Sequence, residues 1–238
     1  MPAILLTRPE AASEQYATRL KARLGAVEIV CSPLLRIEFR AAQIPPGEPV
    51  FTSRNGVEAF CHAQGQPGGS CWCVGEATAE AAKAVGFNAK AAGGDADSLV
   101  AAIRKSGESG PFVHMRGVHA RGDLAQRLRA GGCAVDEVVL YDQHVQELSA
   151  AALTLLECEK PVIVPLFSPR TAAQFAQARS GEAPLYVAAM SAAVAEALGH
   201  MPLAALAIAQ APSVAAMDAA VESLFGAALR LEAEQGAQ

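Results

Sequence analysis

Ser53, Arg54 and Asn55 follow the apolar pair Val50-Phe51, and Ser168 and Arg170 follow the apolar run that begins at Val162. In both places a hydroxyl, a cation and several backbone amides stand between a strand-like run and an apolar spacing of helical period, marked by Val57 and Phe60 in the first case and by Phe175 in the second. Serine there caps the helix. The amides of a helix start, backed by its dipole, attract anions. Thr7-Arg8, Thr78, Arg116-Gly117 and Ser191 fall at comparable junctions. One Ser or Thr before a helix is usually a cap and nothing more. Repeated at every junction, and expected on one sheet edge, these residues become candidates for binding a ligand with several negative charges.

Other site chemistry finds little support. No two glycines stand two apart and no Gly-Lys-Ser/Thr occurs, so neither a Gly-x-Gly-x-x-Gly turn nor a P-loop is present to cradle a nucleotide. Gly-x-Ser-x-Gly and His-Glu-x-x-His are missing too. His114 and His119 straddle a strand-to-loop junction, a poor geometry for metal, and are expected to face solvent or line a cleft. Asp95, Asp97, Asp136 and Glu137 read as solvated residues of loops or strand borders. Cys31, Cys61, Cys71, Cys73, Cys133 and Cys158 show no Cys-x-x-Cys spacing and are expected as buried thiols. A metal site from Cys61-His62 with Cys71 and Cys73 is conceivable, but Cys71-Trp72-Cys73 reads more readily as a strand with alternating faces. No metal and no cofactor is expected.

The elements that position these residues repeat. "VFTSRNGVEAF" has an echo in "PLFSPRTAAQF", with Ser53 over Ser168 and Phe60 over Phe175. "WCVGEATAEAAKAVGF" lies over "YVAAMSAAVAEALGH", and the segment around Arg8 lies over the one around Arg116, at nearly the same offset. The chain reads as two copies of one unit, roughly 1–105 and 108–225. Within each copy short apolar strands alternate with amphipathic helices. Ile4-Leu5-Leu6 leads to a turn, then to Tyr16, Leu20 and Leu24 at helical spacing, closed by Gly25. This grammar predicts parallel βαβ units with helices on both sheet faces. Ligands of such sheets collect beyond the carboxyl ends of the strands.

With 238 residues and 52% of them hydrophobic, the chain can bury one large core or two small ones. A net charge of -5 with dispersed Lys and Arg argues against nucleic-acid binding. The apolar run after Met1-Pro2 is cut by Arg8 and Glu10, too short for a bilayer span or a signal peptide. A soluble, cytoplasmic chain without membrane contact is expected, with a tail from Glu232 that frays.

The ordered set "LLTRP", "FTSRNGVEAF", "VGEATAEAAKAVGF", "MRGVHARGDLAQRLRAGGCAV", "VVLYDQ" and "FSPRTAAQF" resembles the uroporphyrinogen-III synthase family over nearly the whole chain. Each segment alone is weak. Their order is more specific. The resemblance implies an α/β fold of two similar domains, each a parallel sheet flanked by helices. One domain would be built from 1–35 with 146–238 and the other from 38–143, linked by segments near 34–40 and 141–145.

The implied reaction closes hydroxymethylbilane, an open chain of four pyrroles, with inversion of ring D and loss of water, and uses no cofactor. A monomer acting on this polycarboxylate is expected. Thr7, Arg8, Ser53, Arg54, Asn55, Thr78, Arg116, Gly117, Ser168, Arg170 and Ser191 would hold the substrate. Tyr141 matches a family tyrosine near the cleft and would assist departure of the hydroxyl. Where the family commonly carries Gly-x-Thr-Thr, this chain has Ala188-Ala189-Met190-Ser191. That departure favours the rival reading, a non-catalytic two-domain module for an anionic metabolite or linear tetrapyrrole. A dinucleotide or phosphosugar enzyme is the other rival, and it would need the Gly-rich phosphate loop that is missing.

Overall fold

The computed structural model describes residues 1–120 and 123–235. The end of the tail expected to fray, 236–238, lies outside the described residues, as do Arg121 and Gly122 of the segment around Arg116. The chain divides into two compact units, Met1–Arg36 with Val145–Gln238, and Ile37–His144.

The first unit opens with β1 (Ala3–Leu6), α1 (Glu10–Leu24) and β2 (Glu28–Cys31). The second unit follows as β3 (Leu35–Phe39), β4 (Glu48–Phe51), α2 (Arg54–His62), β5 (Ser70–Cys73), α3 (Glu76–Ala84), β6 (Asn88–Ala91), α4 (Ala96–Ser106), β7 (Phe112–Gly117), α5 (Leu124–Ala130) and β8 (Val135–Val145). The chain then completes the first unit with α6 (Ala150–Glu157), β9 (Val162–Leu166), α7 (Pro169–Ala178), β10 (Leu185–Ala189), α8 (Ala192–Glu196), β11 (Ala205–Ile208) and α9 (Val214–Gln235).

In the first unit the sheet order is β11-β10-β9-β1-β2, parallel throughout. β1, β9 and β10 are buried along their whole length, as their unbroken apolar runs require of strands covered on both faces. One face carries Phe175, Leu155, Leu156 and Val194 of the crossover helices, and the other carries Tyr16, Leu20, Val221 and Phe225. Each fully buried Leu or Phe contributes about 1.5–3 kcal/mol of transfer free energy, so these two layers rather than helix propensity hold the unit.

The second unit has the order β3-β8-β7-β4-β5-β6. Pairing is parallel from β8 through β7, β4 and β5 to β6. At the edge, the Arg40 amide donates to the Leu140 carbonyl and the Gln146 amide to the Leu34 carbonyl, the signature of antiparallel strands. The segments near 34–40 and 141–145 fall largely within β3 and β8. Phe51, Phe60 and Phe87 meet edge to face on one side of this sheet, while Leu99, Ile103, Leu124 and Leu128 cover the other.

Trp72 faces the α4/α5 side and its neighbours Cys71 and Cys73 face the α2/α3 side, the alternation the sequence predicts. Only three cysteines are buried, however: Cys31, Cys61 and Cys158 are exposed. Cys31 ends an edge strand, Cys61 lies in the last turn of α2, and Cys158 caps α6, so their apolar neighbours in sequence are not their neighbours in space.

Candidate functional site

Because each sheet's core strands are parallel, their carboxyl ends all emerge on one edge, where the chain turns into a helix. In the second unit β4 ends at Phe51 and delivers Thr52 and Ser53 to the start of α2. Ser53 has extended backbone, and its Oγ accepts the Gly56 amide at 3.2 Å, so it caps α2. β5 ends at Cys73 and delivers Gly75, which caps α3 with no side-chain hydrogen bond. β7 ends at Gly117 and pairs there with Tyr141 of β8 across a register shift.

Tyr141 is where this edge gains chemistry. Its Oη lies 2.8 Å from Ser53 Oγ, and the side chain is buried. A Cβ on Gly117 would fall 2.6 Å from Tyr141 Cε2, so a residue without a side chain is what lets the ring lie against the end of β7. Burial pushes the Tyr141 phenol up from its ordinary value. Hydrogen bonds from Ser53 and from the Gly117 backbone, with the charge of Arg116, pull the other way without reversing the shift. The phenol is protonated at neutral pH.

Behind the turn stands a second polar group. His114 Nε2 is 3.2 Å from Thr52 Oγ1, and its Nδ1 faces Glu137 Oε1 at 3.6 Å. Arg116 Nη1 lies 3.2 Å from the same Glu137 oxygen, while its Nε and Nη2 donate to the carbonyls of Gly117 and Val118. Burial pulls the His114 imidazole down to about 4; Glu137 opposes that and Arg116 adds to it. The ring is neutral at pH 7. A proton on Nδ1 would face the Glu137 carboxylate across 3.6 Å, and Nε2 would then accept from Thr52. His114, Arg116 and Glu137 line one side of a cavity of about 360 Å³ closed by Asp123–Gln126 of the α5 start and by Arg129.

The first unit's edge is built from β1, β9 and β10. β1 delivers Thr7 and Arg8. Thr7 is fully buried with no hydrogen-bond partner on Oγ1, and Ser13 Oγ donates to the Arg8 carbonyl at 2.8 Å. The Arg8 guanidinium sits 4.1 Å over the Phe167 ring, which also meets Tyr16 in a T-shaped contact. β9 delivers Ser168, which caps α7 by accepting the Thr171 amide at 3.1 Å and also meets Thr171 Oγ1 at 2.9 Å. Arg170 lies in the first turn of α7. β10 delivers Ser191, whose side chain makes no capping bond to the five-residue α8.

Comparison with known proteins decides what this arrangement belongs to. The family described as uroporphyrinogen-III synthase HemD matches residues 14–219. The chain belongs to the uroporphyrinogen-III synthase family. No curated protein matches it in sequence. Among solved structures, uroporphyrinogen-III synthetase from Helicobacter pylori 26695 aligns with TM-score 0.64 at 17% identity, covering 94% of this chain and 100% of that one. A mutant uroporphyrinogen III synthase from the extremely thermophilic bacterium Thermus thermophilus aligns with TM-score 0.53 at 13% identity, covering 96% and 99%. These structures share the α/β fold. The activity is that of the family: a cyclising lyase of tetrapyrrole and heme biosynthesis, acting on a small-molecule tetrapyrrole precursor.

The expected site residues fall on two sheet edges, one in each unit, rather than on a single edge. The structure brings Ser53, Tyr141 and Gly117 into one cluster, with Arg54 and Asn55 in the adjoining first turn of α2. Thr7, Arg8, Ser168, Arg170 and Ser191 share the other edge. Thr78, Arg116 and Gly117 depart from the helix-start pattern, and Ser191 keeps it only weakly. Thr78 is buried three residues into α3, whose cap is Gly75. Arg116 and Gly117 end a strand, because the Val118 amide extends the pairing to the Tyr141 carbonyl and α5 waits until Leu124. Ser191 introduces a helix of little more than one turn.

Sequence reasoning gave His114 and Glu137 no part in the site. His114 was expected at solvent or lining a cleft; it is buried from solvent and lines the cavity. A residue every second place along "FVHMRG" and "VDEVV" would have put His114, Arg116 and Glu137 on one face, had the two strands been known to pair. Among the described residues no three His, Cys, Asp or Glu come together as a metal would need, and no helix is long and apolar enough to cross a membrane.

Proposed function

We propose that the Ser53–Tyr141 pair is the chemical centre of a synthase that closes hydroxymethylbilane to uroporphyrinogen III. Departure of the terminal hydroxyl breaks a C–O bond and leaves an electrophilic azafulvene. The Tyr141 hydroxyl donates to the leaving oxygen, which departs as water. The far pyrrole attacks through its substituted carbon to form a spiro intermediate. The original C–C bond from that spiro carbon to its bridge then breaks and re-forms at the free α-carbon on the other side of the ring nitrogen, inverting ring D. The ring carbon that finally joins loses a proton, which restores the phenol, so the net change is one water lost.

What supports Tyr141 is its surroundings. Ser53 Oγ accepts from the Gly56 amide, and in this reading its own proton is donated to Tyr141 Oη, 2.8 Å away. A backbone hydrogen bond from Gly117 meets the same oxygen. With its acceptor positions taken and its proton held by burial, the phenol is set to donate outward.

Beyond that donor, the task is to hold one folded geometry against unaided closure to the wrong isomer, which is orientation work. Carboxylates are received at the start of α2, with Arg54 and Asn55 supplying charge and hydrogen bonds; in the other unit the start of α7 with Arg170, and Arg8, offer the same chemistry. Gly75-Glu76-Ala77 ahead of Thr78, together with Thr7 and Ser191, would add backbone contacts. Arg116 and Gly117 act by holding Tyr141. The reading includes a single chain working in the cytoplasm, since an octa-anion stays in the aqueous phase. Nothing in the fold or the family match favours the non-catalytic module.

Turnover of hydroxymethylbilane by wild type and by Tyr141→Phe, scored as isomer III after oxidation, tests the assignment. Loss of one general acid is expected to lower kcat about a hundredfold with KM little changed. An unchanged kcat removes Tyr141 from the chemistry.

A further inference from the structure

His114 occupies a place where an apolar residue would be cheaper. It stands between Val113 and Met115 on a central strand and is 2% exposed. Its Nδ1 has no hydrogen-bond partner. A buried polar group left unpaired is destabilising, so stability does not account for the residue. What it does have is two connections that end on the same side chain.

The first runs through Thr52, 3.2 Å from Nε2 and immediately before Ser53, whose Oγ meets Tyr141 Oη. The second runs through Glu137, which faces Nδ1 and pairs with Arg116. Arg116 holds the carbonyls of Gly117 and Val118 at 3.2 Å each; Gly117 abuts the Tyr141 ring, and the Val118 amide donates to the Tyr141 carbonyl at 3.0 Å. We propose that His114 is a positioning residue for the cyclisation, setting through Thr52 and through Glu137–Arg116 the two turns that aim the Tyr141 hydroxyl. The proposal rests on Tyr141 as proton donor. It assigns His114 no contact with substrate, and it explains why a polar ring is kept in the core while a neutral one suffices.

Two substitutions separate the connections. In His114→Gln the amide reaches the Nε2 position and keeps the Thr52 contact, while His114→Leu keeps the volume and loses both. The expected result is that H114L lowers kcat for isomer III about tenfold to a hundredfold with KM within about threefold, since a small misplacement of a reacting group is costly. H114Q recovers most of that loss. The deciding measurement is H114L in a Tyr141→Phe background: if His114 acts through the phenol, it lowers the rate no further there. An equal fall in both backgrounds overturns the proposal and leaves Tyr141 standing. A normal rate for Y141F alone removes Tyr141, and any loss in H114L then contradicts positioning through it.

If H114L fails to fold, Thr52→Val tests the first connection at the half-buried partner, with amide exchange of Gly56 as the readout. Faster exchange with a lower kcat supports the proposal, and unchanged exchange with normal kcat overturns it.

Discussion

Ser53 Oγ and Tyr141 Oη, 88 positions apart in the chain, are hydrogen bonded at 2.8 Å. Ser53 thus has two duties, closing the first turn of α2 and holding the phenol. Ser168 repeats the first duty in α7 without a tyrosine partner; its second hydroxyl contact is Thr171.

That asymmetry separates two alanine substitutions. Each removes a cap worth about 1 kcal/mol, so each is expected to lower Tm by roughly 2–4 °C. S53A should also lower kcat, because the phenol loses a hydrogen bond, whereas S168A should act on KM. Steady-state kinetics with calorimetry on the two variants checks this, and a kcat loss in S168A as large as in S53A would contradict it.

Gly117→Ala puts a methyl group where the Tyr141 ring now lies, 2.6 Å from Cε2 and 2.8 Å from Cζ. One of them must move. Overpacking of this kind costs about 1–3 kcal/mol, and the displaced ring should carry the hydroxyl off target. We expect lower stability in urea together with a loss of isomer III, and a G117A variant with normal kcat would remove the ring placement from the account.

The buried imidazole gives a pH dependence of stability with a definite sign. His114 falls from an ordinary 6.5 to about 4 in the folded chain, facing Glu137 and Arg116. The unfolded state therefore binds the proton first. No penalty exists at pH 7; it builds as pH falls through 6.5 and is complete below about 4, at about 3 kcal/mol. Urea midpoints of wild type and H114Q should converge at neutral pH apart from a constant offset and separate in favour of H114Q as the medium is acidified. Parallel curves across that range would show that His114 is not the titrating group.

Charge should govern substrate capture. Replacing Arg54 or Arg170 by Gln removes one charge-assisted partner, and KM is expected to rise about tenfold with kcat preserved. Raising ionic strength should raise the wild-type KM and narrow the gap to each variant, since exposed charges are screened over about 10 Å at 0.1 M salt. A KM indifferent to both would argue that these arginines serve only their own helices.

Much of this arrangement can be read from the chain before any fold is known. Ser53 and Ser168 declare themselves as caps because the apolar period changes from two to nearly four across them, and both do cap. Tyr141 came from family likeness, not from spacing. Glu137 and His114 were given no part in the site because their meaning depends on which strands pair, and pairing between β7 and β8 leaves no mark in local hydropathy. β3, β6 and β11 also went unread. β3, "LRIEF", does alternate apolar and charged residues along its whole length and was missed all the same, whereas "NAKA" and "ALAI" carry too little β-branched or aromatic character to outweigh their alanines. Arg116-Gly117 looked like a helix start because a cation and a glycine follow an apolar run, but the strand continues through them to reach Tyr141.

Isomer analysis addresses the central matter most directly. Purified protein is mixed with freshly made hydroxymethylbilane, the products are oxidised at timed intervals, and isomers III and I are separated by chromatography. Isomer III should dominate and form at a rate proportional to protein concentration. Isomer I alone, appearing no faster than in buffer, would contradict the reading from the phenol outward.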